Sequence, residues 1–500
     1  MDSDCEHDSL CCPCHSLKVS ALTNLRGLPR VWTMAKRPKE PPVYFTSLEL
    51  ENVRCFGERQ TLDLTDDEGK LAQWTLLLGD NGVGKTTLLQ CLAWMRPVPA
   101  LKSREDSIPD AIAPALDSEE NEVWKSLLRR EAKVQLDLEA TLSVGQKLGI
   151  REKGRIPKIK TNVRMSGRNG VLQERIPTEN LFPEPLNMDL LDLPIFAYGA
   201  TRRMGSSNLE NSELSDPLAS LFLGSTELYD AEEILLNLDY LAAKSKKMRN
   251  KKRLQRIGQL LAAILPDIQD EKDIDILGPK VLGHPDEPSG VLFKTPYGLV
   301  PLLGLSLGYQ TMLAWTVDLA SRLYERYPDS PNPLAEPAIV LIDEIDLHLH
   351  PLWQRHVMED LICHFPSVQF IATAHSPLIA QEAEEANLTV LQQKDGQVII
   401  KNHPQFVKAG RVDQIVTSEL FGVPSARRRR VESLIANRNA LLDKTKRTRS
   451  EEDRLNALDK ELENLPTAEN HEDRAAMDLI RQAAARLKKL SHEHDPNTKI

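Results

Sequence analysis

The sequence predicts an α/β fold, a buried and largely parallel sheet with helices packed beside it. Three stretches predict it. Trp74–Leu78 is an apolar run that reads as a strand, followed by the glycine-rich Gly79–Thr86 and a helix start at Thr87–Trp94. Ala338–Ile342 is a second apolar run, and it ends on the acids Asp343 and Glu344. Gln369–Ala374 is a third, running into His375, Ser376 and Pro377. Short runs without polar alternation suit strands buried on both faces of a parallel sheet.

The first stretch carries the most chemistry. Gly79, Asp80, Asn81, Gly82, Val83, Gly84, Lys85 and Thr86 have the spacing G-x-x-x-x-G-K-T, between a strand and a helix as that motif requires. Glycines let backbone N–H groups wrap phosphates, and the helix N-terminus adds a favourable dipole. Lys85 would reach the β- and γ-phosphates of ATP, the Thr86 hydroxyl would sit on Mg²⁺, and Thr87 is counted with the loop. The plainer alternative is a glycine-rich turn with a chance lysine.

The acidic pair at the end of the second strand fits a Mg²⁺ site. Asp343 would hold the ion, directly or through water, and Glu344 would polarise the attacking water. The alternative is a capping acid after a core strand. Upstream, Leu305-Ser306-Leu307-Gly308 opens a helical pattern at Thr311–Ala320.

These pieces, in this order, resemble an ABC-type P-loop ATPase head. The resemblance implies a dimer in which one subunit's signature loop closes on the nucleotide held by the other. Ser306 and Gly308 would then contact the γ-phosphate in trans, Asp346 would line the seam, and His375 would sense the γ-phosphate. Lys85, Glu344 and His375 would be the catalytic residues. The opening strand runs into Asn52-Val53-Arg54-Cys55-Phe56, an N-x-R-x-F pattern similar to the RecF, OLD and SMC branch. Arg54 is a nucleotide-site candidate on that likeness and a surface arginine otherwise. Phe196–Arg202 is similar to the same branch, with Arg202 at a phosphate site or a subunit contact. No glutamine marks a Q-loop near this strand, so the residue that couples nucleotide to the rest of the head is unassigned.

The remaining elements follow in order. Residues 1–42 are expected to be disordered or an over-extended start, with translation beginning at Met34. A zinc site there is the minor alternative, because Cys5, Cys11, Cys12, Cys14 and His15 match no common knuckle. Residues 43–215 would form the first part of the head, with a β-rich lobe from strands at Lys133–Leu142, Lys158–Arg164 and Gly170–Ile176. Residues 216–270 would form a short helical arm lobe, from helices at Glu227–Leu241 and Leu254–Leu265. Between them Lys244–Arg256 holds eight basic residues and no acid, a DNA-phosphate grip or a solvated helix face. Residues 271–410 would complete the head, with strands at Asp273–Ile276 and Gly290–Phe293 and a closing hairpin at Leu388–Leu391 and Gln397–Ile400. Residues 411–500 read as a basic helical tail that packs on the head, binds a partner or touches DNA, with helices at Leu455–Leu465 and Ala475–Leu490. His348 and His350 fall in the seam loop and lack further ligands for a metal.

Composition agrees with a soluble enzyme. The 500 residues are 41% apolar and 27% charged. A net charge of −10 gives no global pull towards nucleic acid or an anionic membrane. No apolar run approaches the ~20 residues of a membrane span. A cytoplasmic location is expected, with Cys55, Cys91 and Cys363 as reduced core thiols.

The stretch Arg411-Val412-Asp413-Gln414 through Leu420-Phe421-Gly422, with the helical tail, is similar to the ATPase subunits of Septu-type antiphage systems. That likeness implies a partner HNH endonuclease gated by a homodimeric or larger ATPase, with hydrolysis or ATP binding itself as the switch. The tail is shorter than the TOPRIM nuclease domain of full OLD proteins, so no nuclease site is expected in the chain itself. The alternative is a RecF-like clamp that closes on DNA with ATP. A transporter subunit is the third reading.

Overall fold

The computed structural model describes residues 41–96, 135–151, 156–166, 172–180, 193–205, 216–244, 248–277, 290–405, 410–423, 429–444 and 447–463. The expectations for residues 1–33 and for a helix at Ala475–Leu490 lie outside the described residues.

The described chain opens with β1 (Val43–Glu51) and β2 (Gln60–Asp63). β3 (Trp74–Gly79) then leads through the glycine-rich loop into α1 (Lys85–Trp94). β4 (Gln135–Val144), β5 (Lys158–Ser166) and β6 (Leu172–Asn180) follow. With the first two strands they form an antiparallel sheet of order β2-β1-β4-β5-β6, the β-rich lobe.

β7 (Ile195–Tyr198) enters a second sheet, and a two-strand ribbon follows from β8 (Arg203–Met204) and β9 (Glu227–Leu228). Between these two, α2 (Ala219–Phe222) is a single turn. The arm helices are α3 (Ala231–Lys244) and α4 (Met248–Ile264). β10 (Ile274–Leu277), β11 (Gly290–Thr295) and β12 (Gly298–Pro301) make a small antiparallel sheet that leads to α5 (Leu307–Arg326). β13 (Ala338–Ile342), α6 (Pro351–Gln354), α7 (Val357–His364), β14 (Val368–Thr373) and α8 (Pro377–Glu382) come next. The hairpin β15 (Asn387–Lys394) and β16 (Gln397–Asn402) closes the head. Beyond it lie α9 (Val412–Val416), α10 (Arg429–Leu442) and α11 (Arg449–Glu463).

The six-stranded sheet has the order β16-β15-β3-β14-β13-β7, and β15 through β7 run parallel. Both faces are covered. Leu76, Leu78, Val340 and Ile342 face one apolar cluster, while Leu77, Ile339 and Leu341 face the other. That two-sided burial is why these strands read as unbroken apolar runs. Trp74 stacks on Phe370 across two strands at 4.4 Å, tying β3 to β14. The described architecture is α/β: a mostly parallel core sheet, an antiparallel lobe and a helical lobe.

The register decides the site. Leu77 pairs with Thr373, and Ala372 pairs with Ile342. The carboxyl ends of β3, β14 and β13 therefore lie at one edge, where open α/β sheets bind ligands.

Two expectations need correction. The second arm helix starts before Leu254, because α4 begins at Met248 and takes in most of the basic stretch. The buried residues of α4, Ile257, Leu260, Leu261 and Ile264, all lie beyond the charges, and the basic turns form its more exposed N-terminal part. Of the three scattered thiols only Cys91 is buried; Cys55 is half-buried and Cys363 is exposed. Cys363 sits two positions past Leu361, on the outer face of α7, whose Val357, Met358 and Leu361 point inward. In the tail, α10 and α11 pack on each other through Arg430–Glu461 at 2.7 Å and Arg438–Asp459 at 2.5 Å. Leu455, Leu458 and Leu462 are the buried side of that hairpin.

Candidate nucleotide site

The loop after β3 turns sharply because three of its glycines take positive φ: Gly79 at 141°, Gly82 at 77° and Gly84 at 91°. At Gly79 the backbone of β15 also comes close, since a Cβ there would lie 2.5 Å from the Leu391 carbonyl oxygen. At Gly84, the N-cap of α1, a Cβ would meet Cys55 Sγ at 2.5 Å. Gly82 faces open space.

Lys85 is only 6% exposed, and its Nζ donates to the carbonyls of Gly79 at 2.7 Å and Asp80 at 2.8 Å. Burial lowers its pKa, opposed by the carboxylates of Asp343, Glu344, Asp80 and Asp346. The ammonium is thus held inside its own loop among acids.

The loop meets the acidic turn directly. Thr86 Oγ1 donates to Asp343 Oδ2 at 2.8 Å. The other oxygen, Oδ1, accepts from Thr373 Oγ1 at 2.7 Å. The same threonine oxygen accepts from the Glu344 N–H at 2.7 Å. A hydroxyl and a carboxylate oxygen side by side are the hard donors Mg²⁺ takes, so the residues present fit the ion the sequence implies. Glu344 is half-buried with φ 50°, a left-handed conformation uncommon outside glycine.

Asp346 and His375 also come together, through the backbone of the histidine. His375 N donates to Asp346 Oδ2 at 3.0 Å, and Asp346 Oδ1 is buried with no partner among the described residues. Gln354 Nε2 donates to the Leu349 carbonyl at 3.0 Å, and Ser376 Oγ donates to Gln354 Oε1 at 2.6 Å, so the seam loop is braced against the strand-end histidine turn. Arg54 lies beside α1, where Nη1 donates to Thr87 Oγ1 and to Gln90 Oε1, each at 3.1 Å.

Ser306 and Gly308 sit elsewhere. Ser306 is the exposed N-cap of α5, and Gly308 packs so tightly on the seam loop that a Cβ would lie 2.4 Å from the His348 carbonyl oxygen. Gln310 Nε2 fixes the signature loop by donating to the carbonyls of Leu303 at 3.1 Å and Leu305 at 2.8 Å. Among the described residues neither Ser306 nor Gly308 is hydrogen-bonded to the phosphate loop.

Sequence reasoning missed Thr373 and the role of Arg202. Thr373 is a polar residue within an apolar strand, two positions before His375, and that was its only signal. Arg202 is 4% exposed and donates to the carbonyls of Gly199 at 3.0 Å, Asp343 at 2.5 Å and Glu344 at 2.9 Å. Burial pulls its pKa down to about 10, against the three nearby carboxylates.

The profile of the family described as "AAA domain, putative AbiEii toxin, Type IV TA system" matches residues 75–380. A "Retron Ec83 probable ATPase" of Escherichia coli is 43% identical over 122 residues, which is 24% of this chain and 22% of that protein. A "Septu protein PtuA" of Bacillus mycoides (strain KBAB4) is 26% identical over 383 residues, 76% of this chain and 45% of that protein. The chain thus spans less than half the length of these relatives. Among solved structures, an SMC head domain bound to the C-terminal domain of ScpA, from Pyrococcus furiosus, is 15% identical with a TM-score of 0.39, over 72% of this chain and 96% of that one. The match to residues 75–380 spans more than half of the 500-residue sequence, and the chain belongs to this AAA family.

Proposed function

We propose that the chain is an ABC-type ATPase that binds Mg²⁺-ATP, dimerises around it and gates a partner HNH endonuclease in antiphage defence. One observation carries the nucleotide part. Thr86 and Asp343 lie 257 residues apart, yet their side chains share a hydrogen bond. That bond joins the phosphate loop to the acidic turn in one site.

Each residue then has a task. The N–H groups of Gly79–Thr86 and the dipole of α1 hold the phosphates. Lys85 exchanges its bonds to the Gly79 and Asp80 carbonyls for phosphate oxygens. Thr86 and Asp343 would hold Mg²⁺, which when bound neutralises charge on the phosphate oxygens. Glu344 orients the attacking water and accepts its proton. Thr373 holds Asp343 and the Glu344 backbone in place. Asp346 and His375 line the seam. Ser306 and Gly308 reach the γ-phosphate of the partner subunit, in keeping with an exposed Ser306 that makes no bond to its own loop.

The likeness to Septu PtuA proteins supports the defence role and the nuclease partner. A DNA-binding clamp of the RecF kind is the second reading, favoured by the exposed Arg249, Lys251 and Lys252 on α4. Arg253 and Arg256 of the same stretch are turned inward, to the carbonyls of Tyr324 at 3.5 Å and Pro331 at 2.5 Å.

Phosphate release from ATP by the purified chain tests the first part. Mg²⁺-dependent release that Lys85→Ala and Glu344→Gln both abolish is expected; release indifferent to both would sink the assignment. A pull-down with and without ATP, read by mass spectrometry, tests the second. Capture of a small HNH protein supports nuclease gating, and capture of DNA-repair proteins with DNA moves the reading to the clamp.

A further inference from the structure

Arg202 brings a charge into the interior where no step of hydrolysis requires it. It is 4% exposed, and its three hydrogen bonds all go to main-chain carbonyls, those of Gly199, Asp343 and Glu344. A buried guanidinium is costly unless its donors are satisfied. Here two of the three bonds go to the turn that carries the two acids, while the buried Nε has no partner among the described residues. That turn is bent, since Glu344 has φ 50°. Its amide side is held as well: Asp343 N donates to the Tyr198 carbonyl at 2.8 Å. The segment Tyr198–Arg202 therefore grips the acidic turn from both ends.

The same segment reaches the signature helix. Tyr198 Oη donates to Asp318 Oδ2 on α5 at 2.8 Å, and Arg322 Nε donates to that oxygen at 2.7 Å. Tyr229, at the foot of the arm, donates its N–H to Asp318 Oδ1 at 3.3 Å. Tyr198, Asp318 and Arg322 are all buried. Hydrogen bonds and the backbone of Tyr198–Arg202 thus connect the carbonyls of Asp343 and Glu344 to the helix that starts after Ser306.

We propose that Arg202 is a positioning residue for ATP hydrolysis, one that fixes the direction of the Glu344 carboxylate, and that Tyr198 couples this turn to the signature helix. The proposal rests on the ATPase reading above. It gives the coupling role to a buried arginine and tyrosine where the sequence offers no Q-loop glutamine. The guanidinium suits the task because its rigid planar fork reaches the Asp343 and Glu344 carbonyls from two separate nitrogens, whereas a lysine offers one flexible ammonium.

The test measures kcat and nucleotide Kd side by side, with a fluorescent ATP analogue for Kd and circular dichroism to check folding. Arg202→Ala should lower kcat by about 100-fold while Kd stays within about threefold, as expected when a reacting group is misplaced by a fraction of an ångström to an ångström. Arg202→Lys should fold like the wild type and recover only part of kcat. Tyr198→Phe should bind ATP normally and turn it over more slowly. A fall in kcat matched by an equal rise in Kd would mean that Arg202 contacts the ligand or merely holds the site together, and overturns the proposal. Wild-type kcat in Arg202→Ala overturns it too. If Arg202→Ala does not fold, Arg202→Lys decides: reduced kcat at unchanged Kd supports the role, and wild-type kcat removes it. A wild-type chain with no turnover, unaffected by Lys85→Ala, sinks the ATPase reading itself, whereas an active wild type with an indifferent Arg202→Ala sinks only the positioning role.

Discussion

At the scale of single residues, the phosphate loop separates two reasons for glycine. Gly82 needs its positive φ of 77° but faces open space, so Gly82→Ala should cost only the left-handed penalty, about 1–2 kcal/mol. Gly79 has φ 141° and a backbone carbonyl 2.5 Å from where a Cβ would go. Gly79→Ala should therefore cost clearly more than Gly82→Ala in urea denaturation. Equal costs would show that β15 yields at Leu391. The motif reveals that glycines stand here, but not which of them is crowded. That depends on β15, which pairs with β3 from more than three hundred residues downstream. Thr373 shows the same limit, because its partners Asp343 and Glu344 become neighbours only when β13 and β14 pair.

At the scale of elements, α5 is anchored by a buried ion pair. Asp318 and Arg322 are 1% and 7% exposed and lie one helical turn apart at 2.7 Å. Arg322 also stacks over the Tyr229 ring at 4.6 Å. Removing one partner leaves the other charge buried, so Asp318→Ala should cost about 3–5 kcal/mol in chemical denaturation. A loss under about 1 kcal/mol, the level of an exposed pair, would contradict that.

Asp360 on α7 offers a pH test. Burial raises its carboxyl pKa from 3.8 to about 6, with Glu359 acting in the same direction and His356 opposing. Because the folded pKa lies above the unfolded one, the folded state favours the protonated form. That contribution is full below pH 3.8 and is lost as pH rises through about 6. Asp360→Asn should therefore raise Tm well above pH 6, and the gain should fade as the pH is lowered towards 3.8. A gain that does not change with pH would rule this cause out.

At the scale of the whole molecule, no bond joins the signature loop to its own phosphate loop among the described residues, and Leu303, Leu307 and Leu352 are exposed around the signature and seam loops. In the proposed dimer this is the surface a second copy would cover. Glu344→Gln, which keeps the turn but removes the proposed base, should run as a dimer with ATP and as a smaller species without it, by light scattering. Lys85→Ala should not shift with ATP. A Glu344→Gln chain whose mass ignores ATP would count against closure around the nucleotide. Among the described residues no helix is long and apolar enough to cross a membrane.

The sequence by itself determined the parts whose chemistry is contiguous. The phosphate loop, the acidic pair, the signature segment and the strand-end histidine could each be read because backbone geometry within a few residues demands those residue types in that order. The central strands were legible for a related reason, since burial on both faces leaves an unbroken apolar run. Only the tertiary structure decided how these parts meet. Strand order and register brought Thr86 to Asp343 and Thr373 to Glu344, and they put Arg202 behind both acids. Helix α4 begins at Met248, within the basic stretch and ahead of its first buried residue, Ile257, and Cys363 turned outward because α7 faces the core with other residues. Such contacts join positions far apart in the chain, and they form only when the whole sheet has assembled.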